Sequence, residues 1–279
     1  MRFDPPEPDG AVVRRRVEVD GPYGIVPGRL VTPAGNDAPS RLVLLGHGGG
    51  GGKDEGRFPQ LAARFALGLD AAALVIDGPV HGERAPQIDD PIERFKAGRR
   101  ALVDPEMPAR FTKDWRASVD ACRAEGIGSG PLLYAGFSMG TVLGVPAVAG
   151  LGEVAGAVFG VGGVPAQGGV ANLIRNVAGD EAADLVEELD DAELRGRIML
   201  DAAITITDTQ VLMVNTTEDV VFPIDGALQL FRALPCPKRI AFWEGGHTEL
   251  GSEAIGLAID FLDRVASGAI TDEGGMGAW

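Results

Sequence analysis

Cysteine, histidine and basic side chains are scarce in this 279-residue chain, and each shortage narrows what it can do. Two cysteines, Cys122 and Cys236, supply neither a disulfide framework nor a cluster of metal ligands. Cys122 falls on an expected helix face and Cys236 between two prolines, so both read as free thiols in a reducing compartment. Lys and Arg total 25 against 40 Asp and Glu, and the net charge of -15 argues against nucleic acid and anionic membrane surfaces as partners. No apolar stretch is both long and uninterrupted. The longest weakly charged run, 140–166, is broken by Glu153 and cut into short pieces by Gly144, Pro146, Gly150, Gly152 and Gly156. The first eight residues hold no apolar core of the kind a secretory signal needs, so a cytoplasmic protein is expected. Only three histidines, His47, His81 and His247, are available as an imidazole base.

What is present is an apolar chain, 45% hydrophobic, which excludes disorder and allows a sizeable core. With no internal repeat and no strong linker, residues 1–279 are expected to form a single α/β domain. Residues 1–11, rich in proline and acid, read as a loose arm. Val12–Val19 and Gly28–Thr32 read as an antiparallel hairpin at a sheet edge. Short apolar runs at 41–46, 72–76, 132–137, 156–161, 210–215 and 239–243 read as buried strands. Helical spacing over 58–69, 111–125, 224–234 and 252–265 sets helices between them, so the sheet should be mostly parallel with right-handed crossovers. Two stretches break this cadence. Residues 85–110, with four prolines, read as a long connection folding over one end of the sheet. Residues 165–208 read as a small helical cap, with Asp180 as an N-cap and Ala182, Leu185, Val186 and Leu189 on one helix face. Its acids, Glu181, Asp184, Glu187, Glu188 and Asp191, read as a solvated face. The tail, 267–279, carries few anchors.

The chain is organised around Leu132–Gly140, in which an apolar run enters Gly136-Phe137-Ser138-Met139-Gly140 and passes into a small-residue helix. G-x-S-x-G between strand and helix is the nucleophile elbow: a sharp turn that pushes Ser138 Oγ above the strand's carboxyl end. The helix start offers the Met139 N–H to a developing oxyanion. A nucleophilic serine also needs a base and a carboxylate to orient it. All three histidines follow carboxyl ends of strands, where ligands of open parallel sheets bind. His47 and His81 read as structural hydrogen-bonders, whereas His247, in a glycine-rich loop after the last strand, reads as the base. Acid candidates crowd the preceding loop. Asp208 lies at the amino end of its strand, and Asp225 is explained as a first-turn helix acid. Glu218 and Asp219 remain, and they point in opposite directions along an extended loop.

The order Ser138, Asp219, His247 is the α/β-hydrolase order. The chain resembles that superfamily, most of all its bacterial esterase and dienelactone-hydrolase-related branch. The matching pieces are His47-Gly48-Gly49, Asp77–Arg84, Gly136–Gly140, Asp219–Pro223 and Gly245-Gly246-His247, spanning about residues 41 to 265. The resemblance implies an α/β-hydrolase fold with a mostly parallel eight-stranded sheet flanked by helices and a small helical cap. It implies Ser138 as nucleophile, His247 as base and Asp219, four residues before Pro223, as orienting acid. The backbone N–H groups of Gly49 and Met139 would form the oxyanion hole, although the glycine run leaves open which of residues 48–50 donates. Dienelactone hydrolases proper carry Cys at the elbow, so Ser138 disfavours their substrate, and the lack of Asp there excludes dehalogenase and epoxide hydrolase chemistry.

The expected function is therefore two-step hydrolysis of a small-molecule carboxylic ester, with neither metal nor organic cofactor called for. Phe137, beside the nucleophile, and the cap residues Leu173, Ile174, Val177 and Met199 are candidates to line the substrate pocket, with ordinary cap packing as the alternative. An amidase or peptidase on the same triad, or a catalytically silent binder of the same fold, stays open. Oligomeric state stays open too, a homodimer included.

Overall fold

Strands covered on both faces carry apolar residues without alternation, and those are the runs that fill the centre of this sheet. The computed structural model describes residues 1–269 apart from 91–92, 94–96, 99, 102–103 and 188–191. Ten strands run in chain order: β1 (Arg2–Phe3), β2 (Glu7–Asp9), β3 (Val12–Gly21), β4 (Gly24–Pro33), β5 (Arg41–Gly46), β6 (Ala71–Ile76), β7 (Leu132–Phe137), β8 (Val154–Gly160), β9 (Gln210–Thr216) and β10 (Lys238–Trp243). Their spatial order is β1-β3-β4-β6-β5-β7-β8-β9-β10, with β2 also paired to β3. β3 and β4 form the edge hairpin, β4 meets β6 antiparallel, and every pairing from β6 to β10 is parallel. The sheet is mostly parallel, as expected, but has ten strands rather than eight. The two extra ones correct the reading of residues 1–11 as a loose arm, since β1 and β2 both pair antiparallel with β3.

Strand parity sends alternate side chains into two cores. Leu42, Leu44, Leu132 and Tyr134 join one cluster, covered by α2 (Met107–Ala124), α4 (Gly144–Leu151), α7 (Ala192–Ala203) and α8 (Ile224–Ala233). Val43, Leu45, Leu133, Ala135 and Phe137 join the other, covered by α1 (Phe58–Leu69) and α9 (Ser252–Ala266). After the elbow the helix is not continuous, as a reading of one small-residue helix would have it. It divides into α3 (Met139–Val142) and α4, with Leu143 between them. Pro146 explains the break, because it has no N–H to bond the carbonyl of Val142.

Residues 165–208 carry three helices, α5 (Gly169–Ala178), α6 (Asp180–Glu187) and α7. Asp180 is the first residue of α6 rather than its cap. Gly179 stands before it, and its carbonyl accepts from Ala183 N–H at 3.2 Å. The buried face of α6 includes Ala183 and Val186, packed on Ala171, Val170 and Ile174. The side chains of Ala182 and Leu185, and all of Leu189, lie outside the described residues. Asp180, Asp184 and Glu187 are exposed and gather round Arg175. No described helix is long and apolar enough to cross a membrane. Beyond Ala269 the tail lies outside the described residues.

Candidate active site

The chain runs from β5 outward to β6, then returns to β7 on the other side of β5. That reversal leaves a crevice beyond the carboxyl ends of β5 and β7, where ligands of such sheets bind. Ser138 stands there. Its backbone has φ 56° and ψ -115°, a region that costs a non-glycine residue about 1–3 kcal/mol. Neighbours hold it there. Ser138 N–H donates to Gly160 O at 3.0 Å, and Thr141 Oγ1 donates to Gly136 O at 3.0 Å and Gly160 O at 2.9 Å. The two elbow glycines are required by contact rather than by φ. A Cβ on Gly136 would lie 2.1 Å from Gly140 O, and one on Gly140 would lie 2.1 Å from Gly46 O.

Ser138 Oγ lies 2.8 Å from His247 Nε2, and His247 Nδ1 lies 2.8 Å from Asp219 Oδ2. The Asp219 side chain is fully buried, and its other oxygen accepts from the N–H groups of Val221 (2.8 Å) and Phe222 (2.9 Å). With Oδ1 so engaged, Oδ2 is left to meet the imidazole. The loops carrying acid and imidazole are laced together: Thr217 N–H donates to Trp243 O, Glu218 N–H to Gly245 O, and Thr216 Oγ1 to Gly246 O. Glu218 is exposed, and Asp225 lies in the first turn of α8. Asp208 precedes β9 and is paired with Thr207. The residue at the imidazole is Asp219.

Met139 opens α3, where a helix N–H has no partner within the helix. Gly49 approaches it, a Cβ there falling 3.8 Å from Met139 Cβ. His47 and His81 do make hydrogen bonds. Gly78 N–H donates to His47 Nε2 at 2.8 Å, so its proton sits on Nδ1 and is given to Gly48 O at 2.8 Å. Burial outweighs that bond and pulls the His47 imidazole down to about 4.

The glycine loop has an anchor that sequence reasoning missed. Lys53 is buried with its Nζ 3.0 Å from the fully buried Asp77 and 2.6 Å from Glu83, while its backbone N–H also reaches Asp77 at 2.8 Å. Bonding to Arg16, against burial and with help from Lys53, holds the Glu83 carboxyl down at about 2. A lone lysine directly after five glycines was the available signal.

A cavity of about 990 Å³ opens beside the elbow. Ser138, Met139, Gly49 and His247 edge it, and Phe137, Leu173 and Ile174 all line it. Met199 does not; it is buried in the main core beneath the cap, and Leu194, Arg195 and Ile198, from the same helix, line the cavity in its place. The Val177 side chain lies outside the described residues. From the 85–110 connection, Ala85, Pro86, Gly98, Asp104 and Pro108 close another side.

No family model matches the chain, and no curated protein matches it. Solved structures do. A cold-adapted esterase from an Arctic intertidal metagenomic library, in its PEG-bound complex, is 26% identical with a TM-score of 0.72, covering 95% of this chain and 100% of its own. Acetyl xylan esterase 1 from Thermoanaerobacterium sp. JW/SL YS485 gives 15% identity and a TM-score of 0.69, over 95% of this chain and 87% of its own. An esterase of Pyrococcus furiosus gives 14% and 0.67, over 90% and 92%. The strand order and these likenesses together give the chain the α/β-hydrolase fold.

Proposed function

We propose that this chain is a serine carboxylic-ester hydrolase working by two-step acyl transfer. The observation that carries the reading is the unbroken hydrogen-bonded path from Ser138 Oγ through His247 to the buried Asp219, starting at a strained elbow on the cavity wall. The esterase neighbours support the same chemistry, most of all the metagenomic one at 26% identity. They do not single out the dienelactone-hydrolase-related branch, which remains part of the proposal.

In the first step His247 Nε2 takes the Ser138 proton while Oγ adds to the ester carbonyl. The Asp219 carboxylate keeps the Nδ1–H tautomer and stabilises the imidazolium that forms. Met139 N–H, with Gly49 N–H from the facing loop, donates to the carbonyl oxygen as negative charge grows on it. The imidazolium then protonates the departing alcohol, and a water activated by the neutral ring releases the acid from Ser138. Phe137, Leu173 and Ile174 are proposed to hold the apolar part of the substrate. The two buried, unpaired thiols support placing the enzyme in a reducing compartment, the cytoplasm.

Hydrolysis of p-nitrophenyl esters from acetate to decanoate, with a fluorophosphonate probe, tests the proposal. Expected are turnover of part of the series and one stoichiometric label, both lost in Ser138→Ala. A protein that turns over none of the esters and takes no label is a binder of the same fold.

A further inference from the structure

We infer that His81, from the loop after β6, is a positioning residue that holds the Gly49–Gly50 peptide plane and with it the geometry of the glycine loop beside Ser138. The inference rests on the esterase reading above. His81 Nε2 lies 3.1 Å from Gly49 O and its Nδ1 lies 2.7 Å from Pro79 O. Both partners are carbonyl oxygens and can only accept. Each contact is therefore a hydrogen bond only when the ring nitrogen facing it carries a proton, and the ring holds Gly49 through Nε2–H.

The effect on the loop follows from the planarity of the peptide. A trans peptide sets its carbonyl and the next residue's N–H on opposite edges of one plane, so fixing the oxygen fixes the N–H. His47 holds Gly48 O and thereby orients Gly49 N–H; His81 holds Gly49 O and thereby orients Gly50 N–H. The two rings stand edge to face with centroids 5.4 Å apart. Five successive glycines have the widest backbone freedom of any sequence, so this loop needs clamps from outside itself.

The frame behind His81 is built to carry load. Gly78-Pro79-Val80-His81 closes a turn through His81 N–H to Gly78 O at 3.2 Å, and Val80 occupies its third position at φ 60°. That position favours glycine, and a β-branched residue persists there only when its surroundings over-determine it. Asp77 secures both loops, accepting from the backbone N–H and Nζ of Lys53 and from Glu83 N–H at 2.9 Å. His81, Gly49 and Ser138 all line the same cavity.

The test is steady-state hydrolysis of the best p-nitrophenyl ester by the full chain carrying His81→Phe, His81→Asn or His81→Gln. Inhibition by a trifluoromethyl ketone, which adds to serine as an oxyanion, is measured alongside. Phe donates nothing and Asn is too short to reach Gly49, so both should lower kcat about 10- to 100-fold with KM held within about twofold. Ketone affinity should weaken in step. Gln keeps an N–H at about the right distance and should recover most of the loss. If the Phe variant does not fold, the Asn and Gln pair carries the comparison. Wild-type kcat in the Asn variant, a Gln variant as slow as Asn, or a loss confined to KM would overturn the inference. Ser138→Ala separates the two claims: activity surviving there defeats the esterase reading itself, whereas an inactive Ser138→Ala beside fully active His81 variants defeats only the role of His81.

Discussion

Gly140 sits so close to the Gly46 carbonyl that a methyl on its Cα would lie 2.1 Å from that oxygen. The contact joins the helix after the elbow to the carboxyl end of β5, and so sets the distance between nucleophile and glycine loop. Gly140→Ala must push β5 and α3 apart. It should cost more than about 3 kcal/mol of stability, through overpacking against backbone that cannot give way. Urea unfolding measures it; a cost below about 1 kcal/mol would mean the two elements slide freely.

Asp219 and Glu218 are adjacent in sequence and opposite in role. On the proposed mechanism, Asp219→Asn keeps the fold and lowers kcat by about 10³- to 10⁴-fold, because the amide stabilises the wrong tautomer. Glu218→Gln, at an exposed side chain, should cost less than about tenfold. Measuring kcat for both side by side gives the answer; a mild Asp219→Asn beside a crippled Glu218→Gln would contradict the geometry.

His47 links the site to acid stability. Burial holds its imidazole at about 4, below the 6.5 of an ordinary histidine, so the folded chain binds fewer protons than the unfolded chain between those values. The stabilisation is complete above pH 6.5 and is lost as pH falls through 4, about 3 kcal/mol in all. In His47→Gln this part of the decline should vanish. Urea unfolding of both proteins at pH 7 and pH 4.5 checks it, and parallel slopes would show that His47 is not the group responsible.

Leu173 and Ile174 bring the cap to the cavity wall. Truncating either to Ala should alter chain-length preference by about 1–3 kcal/mol, seen as kcat/KM ratios between long and short p-nitrophenyl esters, while acetate is spared. An unchanged profile would reduce these residues to cap packing.

What the sequence made legible follows from what has a local signature. Five of the six strands expected to be buried announced themselves because double burial demands continuous apolar runs, whereas β10, last in the strand order, is only half-buried along its length; α1 was bounded to the residue by its spacing. The elbow was legible because G-x-S-x-G has steric reasons at each glycine. β1 and β2 were not, since Pro5, Pro6 and Pro8 and three exposed residues give no alternation; their order comes from pairing with β3. The Lys53–Asp77–Glu83 anchor joins residues 24 and 30 positions apart and has no periodicity to read. Met199 stayed open between pocket and packing because α7 turns Leu194, Arg195 and Ile198 to the cavity and Met199 to the core, and composition does not distinguish the two faces.

On the proposed mechanism Ser138 carries the acyl group between the two chemical steps. Acid quench during turnover of a p-nitrophenyl ester, followed by proteolysis and mass spectrometry, measures this directly. The acyl group is expected on the peptide containing Ser138, and Ser138→Ala is expected to give neither acyl peptide nor more than a residual roughly 10³-fold rate over water. An acyl group on another residue, or wild-type turnover in Ser138→Ala, would contradict it.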